Sequence, residues 1–217
     1  MSVLLERVRE AAWERILSPN EENSTKLRKL ADKLGDREIK KNLDDDIILL
    51  SLLDQKYFNQ LYAPATDVEA PHVYFARFIT PDKKCSNDYE LYYHLKDKEA
   101  SMFLQARAKK CFEIEGSPAG QYEGTMRGSD PCLPTTIKQY MDAVRDDAAR
   151  YYAFAVPTQA AADLIKEHVH YSLLEVGAGN GYWANFLAEN GVDIWPTDMF
   201  VGMGNEYHPD FLPRWYE

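Results

Sequence analysis

The sequence predicts an α-rich α/β protein: a mostly helical first half, then the opening of a parallel strand–helix–strand unit. Three observations predict it. Apolar residues recur at helical spacing through most of the chain from Met1 to Glu115. A run of glycine and proline breakers follows, with Gly116, Pro118, Gly120, Gly124, Gly128, Pro131 and Pro134. Beyond it, the apolar run Leu173–Val176 meets three alternating glycines and then a helical repeat. The expected organisation is a helical domain over 1–115, a Gly/Pro-rich linker over 116–134 and a partial α/β domain over 135–217.

Each element has a local reason. Leu4, Leu5, Val8, Ala12 and Ile16 make one face of a first helix that ends at Ser18-Pro19. A second helix starts near Ser24, carries Leu27, Leu30 and Leu34 on one side, and stops at Gly35. A third runs from Asp44 to Tyr62, where Asp44, Asp45 and Asp46 suit the positive end of a helix dipole. The β-branched and aromatic stretch Val73–Thr80 predicts a strand. Long helices are expected over Asp88–Phe112 and from Thr135 to about Tyr152, and a shorter one from Pro157 to Val169.

The glycine segment carries the chemistry. Leu173-Leu174-Glu175-Val176 has the apolar character of a buried parallel strand. It runs into Gly177-Ala178-Gly179-Asn180-Gly181, after which Trp183, Phe186 and Leu187 fall on one helical face and Gly191 ends the helix. Val192–Trp195 is a second strand, and Asp198 follows it. A turn that passes under a ligand must lack side chains where the ligand lies. Its N–H groups at a helix N-terminus suit polar or anionic groups. An acid beyond the second strand can accept from ribose hydroxyls, and Asp198 stands near the ~20-residue spacing of such units. The dinucleotide fingerprint GxGxxG would need a third glycine where Tyr182 stands; here it comes one residue early, giving GxGxG, with Glu175 two places before the first glycine. The pattern favours a nucleoside site of another kind over a dinucleotide site or a purely structural turn.

Glu-x-Gly-x-Gly-x-Gly resembles motif I of the class I methyltransferases that use S-adenosyl-L-methionine (SAM). Upstream, Tyr152-Ala153-Phe154-Ala155-Val156-Pro157-Thr158, a helix and then LLEVGAGNGYWANFL resemble a little-characterised group of SAM-dependent methyltransferase-like proteins, to which Asn205-Glu206-Tyr207-His208 also corresponds. The resemblance covers about residues 150–217. It implies a Rossmann-like domain in which Gly177, Gly179 and Gly181 cradle the methionine and ribose of SAM. It further implies that Glu175 reaches the methionine amino group and Asp198 holds the ribose, with Tyr152, Phe154 and Pro157 walling the pocket. Of Tyr182 and Trp183, one packs inward and one covers the cofactor.

Other features narrow the function. The formal charge of −10 over 217 residues gives no bulk attraction to nucleic acid. No apolar run spans a bilayer, and acids through Met1–Leu17 argue against a signal peptide. Cys85, Cys111 and Cys132 are odd in number and form no CxxC, which fits free thiols in a reducing cytoplasm and no metal site. His168 and His170 read as surface residues and Arg107, Lys109 and Lys110 as a solvated face; His208 follows the acid Asp198, and a substrate or base role for it is the lesser reading beside an ordinary structural one. Catalytic residues and the methyl acceptor are not assigned by the sequence. A full sheet of this family has more strands than the few residues after Asp198 can supply. The expectation is therefore a shortened domain, inactive alone, whose unpaired sheet edge attracts a protein partner or a second copy. The alternative is a non-catalytic binding or assembly protein built on a relic methyltransferase core.

Overall fold

The computed structural model describes residues 3–62, 68–115, 135–199 and Trp215. They form two compact units, Met1–Ile79 with Lys96–Ala143, and Thr80–Leu95 with Val144–Glu217. The expected linker 116–134 and the Asn205–His208 motif lie outside the described residues. The packing draws the division differently from the breaks in the sequence: Thr80–Leu95 belongs with the later part of the chain, because Tyr89 and Tyr92 pack against Tyr152.

The first unit is helical. It contains α1 (Val3–Leu17), α2 (Glu21–Leu34), α3 (Arg37–Lys41), α4 (Asp46–Leu61), α5 (Pro71–Phe75), and parts of α6 (Asp88–Glu115) and α7 (Thr135–Tyr151). The helix ends follow local chemistry. Asn20 caps α2 through the Asn23 N–H, so the helix starts at Glu21, three residues before the expected Ser24, and Gly35 closes it in a left-handed conformation. Asp36 starts α3, which the sequence reading passes over. Of the acidic triplet, Asp45 caps α4 by accepting from the N–H groups of Ile47 and Ile48, while Asp44 and Asp46 pair with Arg28 and Arg15.

The strand expected over Val73–Thr80 is instead the short helix α5 followed by turns. Pro71 presets its first turn, and Tyr74 and Phe75 are buried. A strand propensity is satisfied only where a neighbouring strand can take its backbone hydrogen bonds. Among the described residues, the two strands of the protein lie in the second unit.

At the centre of the first unit lies a closed ring of four buried charges. Arg9 Nε donates to Asp54 Oδ1 (2.9 Å) and Arg9 Nη2 to Glu99 Oε1 (2.7 Å). Lys96 Nζ donates to Asp54 Oδ2 (2.5 Å) and Glu99 Oε2 (2.8 Å). Aromatic rings close around it: the guanidinium lies 4.6 Å from the Phe78 centroid and Lys96 Nζ 4.3 Å from that of Phe75. Burial works against ionisation of Asp54, yet the adjacent Arg9 and Lys96 hold its carboxyl below the usual range. Tyr57 stacks on Tyr74 at 4.1 Å beside this ring.

The second unit contains α8 (Gln159–His168), β1 (Leu173–Val176), α9 (Tyr182–Glu189) and β2 (Ile194–Thr197). α8 begins at Gln159, two residues after the expected start at Pro157, with Thr158 as its cap accepting from the Ala161 N–H (3.3 Å). The strands pair in parallel, Leu173 opposite Ile194 and Val176 opposite Thr197. β2 begins two residues later than the apolar run suggests, because Val192 still serves the core with Ala162, Phe186 and Leu187. The strand–helix–strand order over a small parallel sheet makes this an α-rich α/β chain.

Candidate functional site

The site lies at the carboxyl end of the two parallel strands, where open α/β sheets place ligands. The chain leaves β1 at Val176 and turns through Gly177, Gly179 and Gly181, all left-handed, with φ of 76°, 57° and 85°. A side chain on Gly177 or Gly179 would meet nothing within 4 Å, so the inner side of the loop faces open space. The turn is tied to β2: the N–H groups of Gly177 and Ala178 donate to the Thr197 carbonyl (2.8 and 3.0 Å), and Thr197 Oγ1 donates to the Glu175 carbonyl (2.8 Å). Asp198 then folds back, and its Oδ2 accepts from the Gly179 N–H at 2.9 Å.

Val176, Gly177, Thr197, Asp198 and Met199 line an open cleft of about 370 Å³ at this point, within the range of small-molecule sites. Glu175 lies on the opposite side of β1 from Val176, on the face that packs toward α9. The residue is half-buried, but its Oε2 is wholly buried and has no hydrogen-bond partner. Burial raises its pKa accordingly. An orphaned carboxylate oxygen is costly unless a donor arrives to satisfy it.

Of the residues named from the sequence, Gly177 and Asp198 line the cleft; Gly179 is tied to Asp198 through its N–H, while Glu175 and Gly181 adjoin it along the chain and are not among its lining. Tyr152 and Phe154 are not among those lining the cleft. Tyr152 is fully buried, stacked on Tyr89 at 4.7 Å and 5° and edge-on to Tyr182 at 5.1 Å. Its ring has gone to the core because four aromatic neighbours enclose it. Phe154 is 72% exposed. Tyr182 is the inward ring of the Tyr182–Trp183 pair; half-buried Trp183 donates from Nε1 to the Ala155 carbonyl (2.8 Å). His168 and His170 are exposed, and His208 lies outside the described residues.

Sequence reasoning missed the residues that hold the loop in place. Asn180 Nδ2 donates to the Tyr151 carbonyl at the end of α7 (2.8 Å), and Asn180's own carbonyl accepts from the Trp215 N–H (3.1 Å). Asn87 caps α6 through the Glu90 N–H (2.9 Å), and its Oδ1 also accepts from the Tyr182 hydroxyl (3.2 Å). The spacing Asn87-x-x-Glu90 was a readable helix-start signal; its link to the glycine loop was not.

Among the described residues no cluster of His, Cys, Asp or Glu is arranged to hold a metal ion, and no helix is long and apolar enough to cross a membrane. No protein family matches this chain, and neither a curated protein nor a solved structure matches it.

Proposed function

We propose that the chain is a SAM-dependent methyltransferase-like protein that binds S-adenosyl-L-methionine at the glycine loop. One observation carries the reading: three left-handed glycines between β1 and α9, with Asp198 folded onto the Gly179 N–H. The residues fit the cofactor. Gly177 and Gly179 leave room where side chains would intrude. Glu175 does not line the cleft; its place in the reading comes from the sequence resemblance, with a buried Oε2 that lacks a donor. Asp198, already oriented by Gly179, would accept from ribose hydroxyls. SAM supplies an electrophilic methyl group on a sulfonium.

The same reading includes no turnover by this chain alone. Asp198 is the one ionisable side chain lining the cleft among the described residues, and it serves the ribose. Methyl transfer needs an acceptor held in line at near-attack distance, where an error of about 1 Å costs on the order of a hundredfold.

Calorimetric titration with SAM and S-adenosylhomocysteine tests the reading. Saturable micromolar binding is expected, with a sharp loss in Asp198→Ala. Absence of saturable binding, or equal affinity in Asp198→Ala, would refute it. A second reading has its own support: Leu174, Val176 and Trp195 are 61%, 81% and 65% exposed on the face of β1 and β2 away from α9. Parallel sheets are normally covered on both faces. A non-catalytic assembly protein, with this sheet face or its edge against a protein partner or another copy, accounts for that face without any cofactor. Self-association that depends on Val176 and Trp195, in a chain that ignores both nucleosides, would select it.

A further inference from the structure

The non-glycine residues of the loop are all anchored, and the anchor at Tyr182 is unusual in kind. Its hydroxyl sits at the amino end of α6, a helix that begins some ninety residues earlier in the chain (|i−j| of 93 to Tyr89). There it accepts from the Tyr89 N–H at 3.0 Å and donates to Asn87 Oδ1 at 3.2 Å. The first N–H groups of a helix have no partner inside it. The Glu90 N–H is taken by Asn87 and the Tyr89 N–H by Tyr182, so a side chain from the glycine segment completes the cap of α6. Asn87 extends the tie, since its Nδ2 donates to the Pro157 carbonyl at 2.7 Å. The Tyr182 ring is 4% exposed, enclosed by Tyr89, Tyr152 and Trp215 at 5.9, 5.1 and 5.0 Å.

We propose that Tyr182 and Asn87 are positioning residues for the glycine loop: their hydrogen bond fixes where α9 starts and so sets the conformation of Gly177–Gly181 that receives the ligand. The geometry gives the reason. Tyr182 is the first residue of α9, and Gly181, immediately before it, is the last of the left-handed glycines. Glycines in this region have wide conformational freedom, so the loop is fixed by its ties: the Gly179 N–H on Asp198 Oδ2 at its middle, and a tie at each end. One end is held by the sheet bonds to Thr197. The other is held by Tyr182, with Asn180 beside it on the Tyr151 carbonyl. A ring packed in the core fixes direction, while the hydroxyl, bonded on both its donor and acceptor sides, fixes height along the α6 axis. As regards ligand binding this rests on the SAM reading; as regards the loop it does not.

Tyr182→Phe keeps the ring and removes only the hydroxyl, so the fold survives. Hydrogen exchange measured by mass spectrometry on the full chain should then accelerate together in peptides covering Gly177–Trp183 and Asp88–Leu91. S-adenosylhomocysteine affinity should fall roughly tenfold, the effect of one lost buried hydrogen-bond pair. Asn87→Ala should do the same to the loop, and the double variant should be no worse than the more severe single one, because both break one unit. A merely structural role would lower the melting temperature with no selective rise in loop exchange. Unchanged loop exchange in Tyr182→Phe, additive effects in the double variant, or undiminished affinity with a loosened loop would each overturn the proposal. The exchange response in Tyr182→Phe, together with no S-adenosylhomocysteine binding by the wild-type chain, supports the positioning role and refutes the cofactor reading instead.

Discussion

The two units solve the problem of buried polarity in opposite ways. The first buries four full charges, Arg9, Asp54, Lys96 and Glu99, and neutralises them against one another in a ring closed by aromatic faces. The second uses neutral groups, the buried hydroxyl of Tyr182 and amide of Asn180 and the half-buried amide of Asn87, and spends them on backbone N–H and carbonyl groups at helix ends. The difference teaches which region can change shape. A charge ring inside a core is all-or-nothing, since losing one member strands the others. Neutral bonds at helix ends give way one at a time and at about 1 kcal/mol each. The glycine loop is held largely by bonds of the second kind, with one charged acceptor, Asp198, on the Gly179 N–H.

The comparison can be broken at its strongest point first. Asp54→Ala should destabilise the first unit by about 3–5 kcal/mol, the usual result of uncovering a buried charge partner. Denaturant unfolding should show the loss, and exchange in α1 and α6 beyond Leu95 should report it. A loss under about 1 kcal/mol would mean that the ring contributes little beyond its rings and methylenes. Acid gives a gentler version. Asp54's carboxyl lies below its ordinary range in the folded protein. Its contribution is therefore present above the unfolded carboxylate pKa and disappears as pH falls through the lower, folded one. Circular dichroism with peptide-resolved exchange between neutral and strongly acidic pH should show the first unit loosening in that window. The tyrosine stack around Tyr152 contains no carboxylate and should not share that dependence.

The smallest effect sharpens the contrast at the candidate site. Glu175→Gln removes a carboxylate that burial disfavours, so the free chain should melt about 1–3 °C higher. The same change should weaken SAM binding, since an amide is a poor partner for an ammonium. Stability and binding moving in opposite directions would mark Glu175 as a residue kept for a ligand. Their moving together would mark it as structural.

Much of this molecule was legible in the sequence, and for local reasons. The starts and stops of α1, α4, α6, α7 and α9 follow periodicity and capping chemistry within a few residues of each end. The glycine loop was legible because left-handed turns admit few residues besides glycine, and Asp198 because it stands at a fixed distance along the chain from that loop. Where the local signal failed, a distant partner decided. Val73–Thr80 has strand composition, but no strand lies beside it among the described residues, and Tyr74 and Phe75 turn instead onto the buried Arg9. Tyr152 has the place of a pocket wall in the motif, but Tyr89 claims its face.

The sequence by itself therefore determined the longer helices, the parallel strand–helix–strand unit and the glycine loop with Asp198 beyond it, while it passed over α3 and read α5 as a strand. Only the tertiary structure decided what holds them. The charge ring joins positions up to ninety residues apart (|i−j| of 90 between Arg9 and Glu99), and Tyr182 completes the cap of a helix from the other half of the chain. Periodicity and capping act over one or two turns, so they are written in neighbouring residues. Ion pairs, ring stacks and borrowed caps depend on which surfaces meet after folding, and no short stretch of sequence carries that information.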